Sequence, residues 1–500
     1  MKRTQVIIIG AGPTGLALAC QLIRYNIDFL IIEKNKTTTP YSKAMVVHAR
    51  TLEIFKEYDL DQKAVESGQM IESFNIVING RVRGHIYLGK FGTGLSEYPF
   101  VLGLEQSKTE KIHVDFLGQK KKSILWESEV TNINSTAKGV TVTYKDNKGA
   151  LIDVQADYLV GCDGSHSMVR HALALPLQGS TLENTFYVAD ATVKSDLFNK
   201  KEAYMNLVDD GFVLFFALEN KSHYRIIGVV PREQQQDTYN FEDIERIVKN
   251  QLNIPLVFED KSWYATYKAH SRMVSSFSQD RCFLAGDAAH IHTPAGGQGM
   301  NTGIQDAYNL AWKLALVLHN KASGKLLETY SSERTEVAKQ LLATTDKQFE
   351  VLTGSSFVVR YLKKYVFPLV AKLATSTKIG GRTAFKLMSQ IAVKYPDSSL
   401  TIKSKIGSIE AGDRMPYFQI DGNSIYEQLT TPAFKILWFG EKKEVAILNN
   451  KDLKFAEIVV TEIPSFFKGA TDFYILLRPD NYVSYIGKDV EKIDFLISRL

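Results

Sequence analysis

The segment Gly10-Ala11-Gly12-Pro13-Thr14-Gly15 constrains this chain more than any other. It follows the apolar run Val6-Ile7-Ile8-Ile9 and leads into residues 15–23, which read as a helix; residues 29–33 behind it read as a second strand. A strand, a glycine turn and a helix in that order form a βαβ unit. The glycines at 10, 12 and 15 permit the tight turn, the approach of a pyrophosphate to backbone, and close helix–strand packing. Glu33 ends the second strand, where an acid takes ribose hydroxyls, and an acid there fits an unphosphorylated ribose. The pattern predicts a dinucleotide site at the N-terminal end of the chain.

A second segment, residues 282–306, pairs with the first. A short apolar strand ends in Gly286-Asp287; Pro294 and the glycines at 296, 297 and 299 then lead into a helix. Glycines let backbone approach a flat ligand, and a helix N-terminus presents its positive end there. Thr302 and Gln305 fit a capping box if that helix starts beside them. No second complete glycine fingerprint follows elsewhere, so the N-terminal site is expected to hold the permanent cofactor and any nicotinamide to visit another surface. A third segment, Tyr158 to Arg170, is a buried strand ending in Asp163-Gly164; Asp-Gly after a strand is also an everyday turn.

Five hundred residues at about 150 per domain suggest roughly three domains. With 45% hydrophobic and 23% charged residues the composition is that of a soluble enzyme, and a net charge of +5 argues against nucleic acid as a partner. Cys20, Cys162 and Cys282 lie far apart, which excludes a disulfide framework and fits a reducing cytoplasm. His290 and His292 lack a third ligand, so no metal is expected. No run reaches the length of a membrane span. Residues 357–374 could form an amphipathic surface helix, but two lysines and Pro368 interrupt them, and packing on the enzyme body is expected.

Residues 124–133, 140–144 and 151–160 read as an antiparallel meander. Residues 186–230 read as a separate sheet, and the chain turns helical after 306, with a break at 395–399. The last hundred residues return to strands at 434–439, 455–461, 473–478 and 482–486 before a closing helix. A hairpin followed by a packing helix resembles the end of a thioredoxin fold. Without a cysteine after Cys282 it cannot exchange disulfides, and a packing or dimer-contact role is expected, so a homodimer is an open expectation.

Together these segments resemble the FAD-dependent aromatic hydroxylases, the para-hydroxybenzoate hydroxylase type of flavoprotein monooxygenase. His48 to Glu53, Leu104 to Gln106, Tyr330 to Arg334, Gly412 to Pro416 and Leu477 to Val483 extend the likeness over essentially the whole chain. Members with such a C-terminal appendix include phenol hydroxylases, rifampicin monooxygenase and hydroxylases of aromatic polyketides. The resemblance implies an α/β fold: a Rossmann-like FAD-binding domain over 1–72, 98–175 and 276–395; an inserted mixed β-sheet substrate domain over 73–97 and 176–275; and a thioredoxin-like domain over 396–500.

The resemblance also implies residue roles. Gly10, Gly12, Thr14, Gly15, Glu33 and Lys34 would hold the ADP half of FAD, with Val130 near adenine and Arg50 and Gln106 near the pyrophosphate and ribityl chain. Gly286 and Asp287 would hold the ribityl or ribose hydroxyls, while Pro294, Gly297, Gly299, Met300 and Asn301 line the isoalloxazine. Asp163 and Gly164 would help place FAD and a visiting NAD(P)H. The implied reaction is hydroxylation of a small phenolic or polycyclic, antibiotic-like aromatic molecule by NAD(P)H and O2 through a flavin C4a-hydroperoxide, with no catalytic side-chain nucleophile. Two alternatives stand beside it: oxygen insertion into a carbonyl or polyketide by the same chemistry, and a redox-inactive binding protein on the same fold. In residues 211–218, Phe212, Leu214 and Phe216 face one way and Val213 and Phe215 the other. Phe215, with Tyr224 and His48, is the expected substrate lining.

Overall fold

Strands Lys2–Ile9 and Phe29–Ile32 run parallel and are joined by helix α1, Pro13–Arg24, which is the βαβ unit expected. Pro13 opens α1 where no amide donor is needed, and Leu16, Leu18 and Leu22 are buried along it. The computed structural model describes all residues except 1, 41–43, 88–90, 200, 210, 219–221, 253, 294, 355, 367–376, 443–452 and 454. Part of the amphipathic stretch at 357–374, and Pro294 itself, therefore lie outside the described residues. Four further helices position the site: α2, Ala49–Lys56; α3, Phe241–Leu252; α4, Gln298–Leu318; and α5, Glu328–Thr353. Among the described residues no helix is long and apolar enough to cross a membrane.

The first sheet has eight strands. Its central member, Leu151–Gly161, pairs parallel with Lys2–Ile9 on one edge. On the other edge its first half takes Gly139–Lys145 antiparallel, and its last three residues take Cys282–Leu284 parallel. The register aligns Ile9 with Gly161 and Gly161 with Leu284. Three sequence segments therefore leave the sheet side by side at its carboxyl edge, where ligands of open α/β sheets bind. One expectation needs correction here. Residues 124–133 are not one strand of a meander: Ile124–Leu125 extends the parallel sheet beside Phe29–Ile32, and Glu129–Thr136 pairs with Gly139–Lys145. Glu127, at φ 51°, breaks the run.

The second sheet also has eight strands, in the order His290–Ile291, Val257–Met273, Gln178–Lys194, His223–Val229, Gly211–Ala217, Glu202–Val208, Ser73–Ile78 and Arg81–Tyr87. One face packs on α3 through Tyr187, Phe215, Tyr224, Ile244 and Val248. The four-stranded C-terminal sheet runs Phe455–Val460, Phe434–Phe439, Phe473–Leu477, Val483–Gly487, its first pair parallel and the other two antiparallel.

Helix α4 joins the first sheet to the C-terminal sheet. Trp312 is fully buried among Phe434, Trp438 and Leu476 and donates from Nε1 to Asp480 at 3.1 Å. One turn away, a buried ionic network gathers around Glu333 of α5. Arg478 donates from Nη1 to Glu333 Oε1 at 2.7 Å and from Nη2 to Oε2 at 2.9 Å and also binds Asp480, while Lys313 Nζ reaches Glu333 Oε2 at 2.8 Å. Burial opposes ionisation of Glu333, but Arg478 and Lys313 outweigh it and hold the carboxyl well below the usual range. Burial likewise opposes ionisation of Asp306, and Arg334 and His290 overcome it, leaving that carboxyl below its ordinary value.

Replacing Arg478 removes the shared counter-charge of Glu333 and Asp480, leaving Lys313 alone against two buried carboxylates, so Arg478→Met should cost about 3–5 kcal/mol, read by urea unfolding at neutral pH. Because the folded-state pKa values of Glu333 and Asp306 are depressed, their stabilisation is present above the unfolded carboxylate value of about 4 and is lost as pH falls below it. Stability measured from pH 7 down to pH 3 should fall more shallowly for Arg478→Met than for the parent; parallel curves would remove Glu333 from the acid transition.

Candidate cofactor and substrate site

At the carboxyl edge of the first sheet the three segments touch through positions with no side chain. A Cβ on Gly10 would lie 2.4 Å from the Cys162 carbonyl oxygen, and one on Gly15 would lie 2.1 Å from the carbonyl oxygen of Gly10. Thr14 fills the space between the other two partners. A Cβ on Gly286 or Gly303 would meet Thr14 Oγ1 at 2.5 or 2.3 Å. Gly286 also has φ +62°, a conformation in which an L side chain is strained. The Asp163 turn joins through Arg170, which donates to the carbonyl oxygens of Ala288 at 3.2 Å and Ser165 at 2.8 Å.

Asp306 of α4 fixes the Gly286 turn. Its Oδ2 accepts from the Gly286 amide at 2.9 Å and pairs with His290 Nε2 at 2.7 Å, while Oδ1 accepts from Arg334 Nε at 2.6 Å. Within this turn Asp287 is exposed although its neighbours on both sides are buried. The glycine-rich loop then enters α4 through Gly296 and Gly297, at φ 72° and 64°. Helix α4 begins at Gln298, so Thr302 and Gln305 are not its capping box. Thr302 Oγ1 instead bonds the Gln298 carbonyl one turn back, and Gln305 donates to Gln390.

Several expected contacts are placed otherwise. Asn301 is buried, and its side chain is consumed within the protein. Its oxygen accepts from His48 N and Thr51 Oγ1, and its nitrogen donates to Val46 O and Gly297 O, which fixes residues 46–51 to α4. His48 Nε2 meets the Gly296 carbonyl at 3.0 Å, so this ring holds the glycine loop, and burial drives its pKa down to about 4. The guanidinium of Arg50 does not reach the cleft. It is buried between the rings of Tyr308 and Tyr482, each about 5.3 Å away, and donates to the Asp480 carbonyl at 3.0 Å. It also pairs with Glu53 Oε2 at 3.2 Å, so a local carboxylate, two ring faces and the Asp480 carbonyl together fix its direction.

The ADP side is closer to expectation in its geometry. Glu33 Oε2 accepts from Ala11 N at 2.7 Å and Oε1 from Asn35 N at 2.9 Å, which closes the glycine turn; Lys34 beside it is exposed. Ser128 N donates to the Glu33 carbonyl at 2.9 Å, bringing half-buried Val130 to the same corner. Gln106 accepts from Ala44 N and donates to Glu110, whose carboxyl burial pushes up to about 7. Asp163 accepts from Ser167 Oγ at 2.5 Å and Val169 N at 3.2 Å; burial raises its pKa despite these bonds.

In the second sheet, the two sets of the strand Gly211–Ala217 part as alternation requires, but with the opposite assignment. Phe215 and Tyr224 are 0% and 1% exposed in the core against α3 and line no cleft. The opposite face carries Leu214 and Phe216, which pack with Met45, Val46 and Met388. A Cβ on Gly297 would sit 3.0 Å from Val46, so this face looks toward the glycine loop.

The residues fit FAD. Gly12 and Gly164 have open space where a Cβ would stand, and the N-termini of α1 and α4 have no side-chain cap. Buried polar atoms without protein partners cluster along the loop: His48 Nδ1, His292 Nε2, Thr293 Oγ1 and Gln298 Oε1. Such atoms are normally satisfied, and a polar ligand in the cleft is what the protein alone does not supply.

Comparison with known proteins agrees. Residues 3–345 match the family described as FAD binding domain. The chain is 30% identical over 522 aligned positions to the 6-methylpretetramide 4-monooxygenase of Streptomyces rimosus, covering 97% of this chain and 91% of that relative. It is 26% identical to the rifampicin monooxygenase of Rhodococcus hoagii, covering 99% and 98% of the two chains. Among solved structures, the OxyS anhydrotetracycline hydroxylase from Streptomyces rimosus superposes with a TM-score of 0.81 at 26% identity and 99% coverage of each chain.

Sequence reasoning missed Gly303, Asp306 and Arg170. The signal for Asp306 was a carboxylate within the apolar stripe of α4. Gly303→Ala should lower stability by about 1–3 kcal/mol and reduce FAD retained through gel filtration, and adding Thr14→Ala should restore both. Asp287 makes no hydrogen bond among the described residues, so Asp287→Ala should leave apoprotein melting unchanged and weaken FAD binding about tenfold. Full FAD occupancy in that variant at micromolar protein would remove Asp287 from the cofactor site.

Proposed function

The chain belongs to the FAD binding domain family of flavin-dependent monooxygenases, and on that premise we propose that it uses NAD(P)H and O2 to hydroxylate a polycyclic phenolic substrate. The observation that carries this reading is the close approach of the Gly10–Gly15 turn to the Cys162 backbone and, through Thr14, to the Gly286 turn at one sheet edge, beside an uncapped helix N-terminus. When bound, FAD accepts reducing equivalents from NAD(P)H and activates O2, so the protein needs no nucleophile of its own.

The chain's residues bind and orient. Glu33 takes ribose hydroxyls, the first turn of α1 takes the pyrophosphate, and Asp287 takes hydroxyls of the sugar chain. The first turn of α4 presents uncapped amides to the ring system and favours negative charge on it by about 1 kcal/mol, more where water is excluded. Asp163 and Gly164 border the surface that a visiting nicotinamide uses. Leu214, Phe216, Ile227 and Tyr267 line the cleft side of the second sheet and keep water from it. Relatives named for 6-methylpretetramide, rifampicin and anhydrotetracycline support a large ring system of that kind as the substrate.

The same reading divides the chain into the FAD-binding part over 1–72, 98–175 and 276–395, a substrate sheet over 73–97 and 176–275, and a thioredoxin-like part over 396–500. The strand order of the C-terminal sheet, with one parallel and two antiparallel pairs, supports the last assignment. Its task is packing against α4. Three free, buried cysteines support a reducing, cytoplasmic setting.

Purified protein should be yellow, with one FAD per chain. Polycyclic phenols should stimulate its NAD(P)H oxidation several-fold, and 18O2 should label the product with one atom. A colourless protein after FAD addition, or NAD(P)H oxidation that no aromatic compound accelerates, would count against the proposal.

A further inference from the structure

On the cleft side of the second sheet an arginine is held by a carboxylate and left incomplete. Arg225 Nε donates to Asp190 Oδ1 at 2.8 Å and Nη2 donates to Asp190 Oδ2 at 2.6 Å, a bidentate pair between neighbouring strands. The arginine side chain is 1% exposed and the aspartate side chain 11%. Nη1 of the same guanidinium is buried and has no hydrogen-bond partner. An arginine that served only to neutralise Asp190 has no need to bury two further N–H groups, because each buried donor left unpaired is destabilising.

The sheet register fixes where this group stands. Residues directly opposite one another share a face. Phe74, Ala203, Phe216, Arg225, Asp190 and Trp263 form one row across five strand pairings. The row lies on the face opposite α3, whose contacts come from Tyr224 and Ile226 on either side of Arg225. Phe216 of the row packs with Met45 and Val46, and Val46 abuts Gly297 at the start of α4. Phe74 meets Phe216 edge to face at 6.2 Å, and the ring of Trp263 lies 5.7 Å from the guanidinium carbon. Arg225 is thus the one cation in a row otherwise formed by aromatic rings, an alanine and its own counter-charge.

We propose that Arg225, oriented by Asp190, is the recognition group for an oxygen acceptor conjugated to the substrate ring, a phenolate or the enolate of a 1,3-diketone. A flat aromatic system lying between this row and the glycine loop brings its ring against Phe216 and Phe74 and its oxygen to Nη1. The two fixed bonds to Asp190 set the plane of the fork, so Nη1 is pre-organised and loses little freedom on binding. Asp190 is a positioning residue, and Arg225 is the group that touches substrate. The inference rests on the phenolic-substrate reading above and assigns the residue that reads the substrate's ring oxygen.

The test uses the FAD-loaded enzyme without reductant, with 1,8-dihydroxyanthraquinone and its dimethyl ether as probes, and follows perturbation of the flavin absorption spectrum. The parent should bind the dihydroxy compound roughly 10- to 100-fold more tightly than the ether, the range expected for a hydrogen bond to a charged group. Arg225→Gln leaves Asp190 buried and unpaired and threatens folding, so the double variant Asp190→Asn/Arg225→Gln is used beside it. It should retain stoichiometric FAD and bind both probes alike, at the affinity the parent shows for the ether. Equal binding of the two probes by the parent overturns the proposal. So does a folded, FAD-loaded double variant that still prefers the dihydroxy compound. A folded double variant that no longer retains FAD also overturns it, by assigning Arg225 to the cofactor. If neither probe perturbs the parent spectrum, the aromatic-substrate reading fails and the proposal with it.

Discussion

Thr14 lies where three backbones meet, and the site depends on the absence of side chains around it. Its hydroxyl occupies the position that a Cβ of Gly286 or Gly303 would need. Helix α1 can then approach both the turn that ends strand Cys282–Leu284 and the second turn of α4. Gly10 and Gly15 do the same toward Cys162. These approaches bring segments separated by hundreds of residues to one sheet edge, and parallel register sets them at one level. A cofactor running from Glu33 to Asp287, as proposed above, needs that alignment, because different segments would hold its two halves.

Rigidity at this edge comes from groups well outside it. Asp306 holds the Gly286 amide, Arg334 holds Asp306, and Arg334 Nη1 reaches the hydroxyl of Tyr395 at 3.0 Å. The neighbouring Glu333 binds Arg478 of the C-terminal sheet. Adjacent residues of α5 therefore tie the flavin-side turn and the C-terminal part to one helix. Burying so many charges costs solvation that the pairings must offset, so such a network is a weak source of net stability. Its effect is on arrangement: each carboxylate has few alternative partners, and displacing one leaves a buried charge unpaired. The same logic applies to Arg50, whose position between Tyr308 and Tyr482 makes it a joint of the two regions.

The sequence was most legible where structure is local. The βαβ unit, the carboxyl-edge turns and the C-terminal strands follow from short-range periodicity and glycine placement, and the family likeness was correct. What was lost depends on partners distant in the chain. Arg50 was assigned by resemblance, but its guanidinium is held between Glu53 three residues on and a carbonyl 430 positions away. Alternation separated Phe215 from Phe216 without saying which faced inward, because helix α3, which covers one face, is a later and separate element. The break at Glu127 is a single backbone angle in a run of ordinary strand-formers. Asn301 was expected at the flavin as part of its motif; its amide is instead spent on four protein atoms that no motif names together.

The two sheets divide the work by the kind of disorder each must prevent. The first holds a cofactor whose polar groups repeat along its length, and it does so largely with backbone: amides at helix ends and turns that lack Cβ atoms. Backbone donors cannot be changed by substitution without moving the chain, which suits a ligand that stays the same. The second sheet, proposed above to face the substrate, presents side chains on alternating positions of antiparallel strands. A change at Leu214, Phe216 or Ile227 reshapes the wall without disturbing the face packed on α3, because neighbouring residues point away. On that proposal, cofactor binding and substrate choice are carried by different chemistry on different elements. The Arg225–Asp190 pair is the place where the variable wall acquires a fixed charge, held by two hydrogen bonds across adjacent strands rather than by a loop.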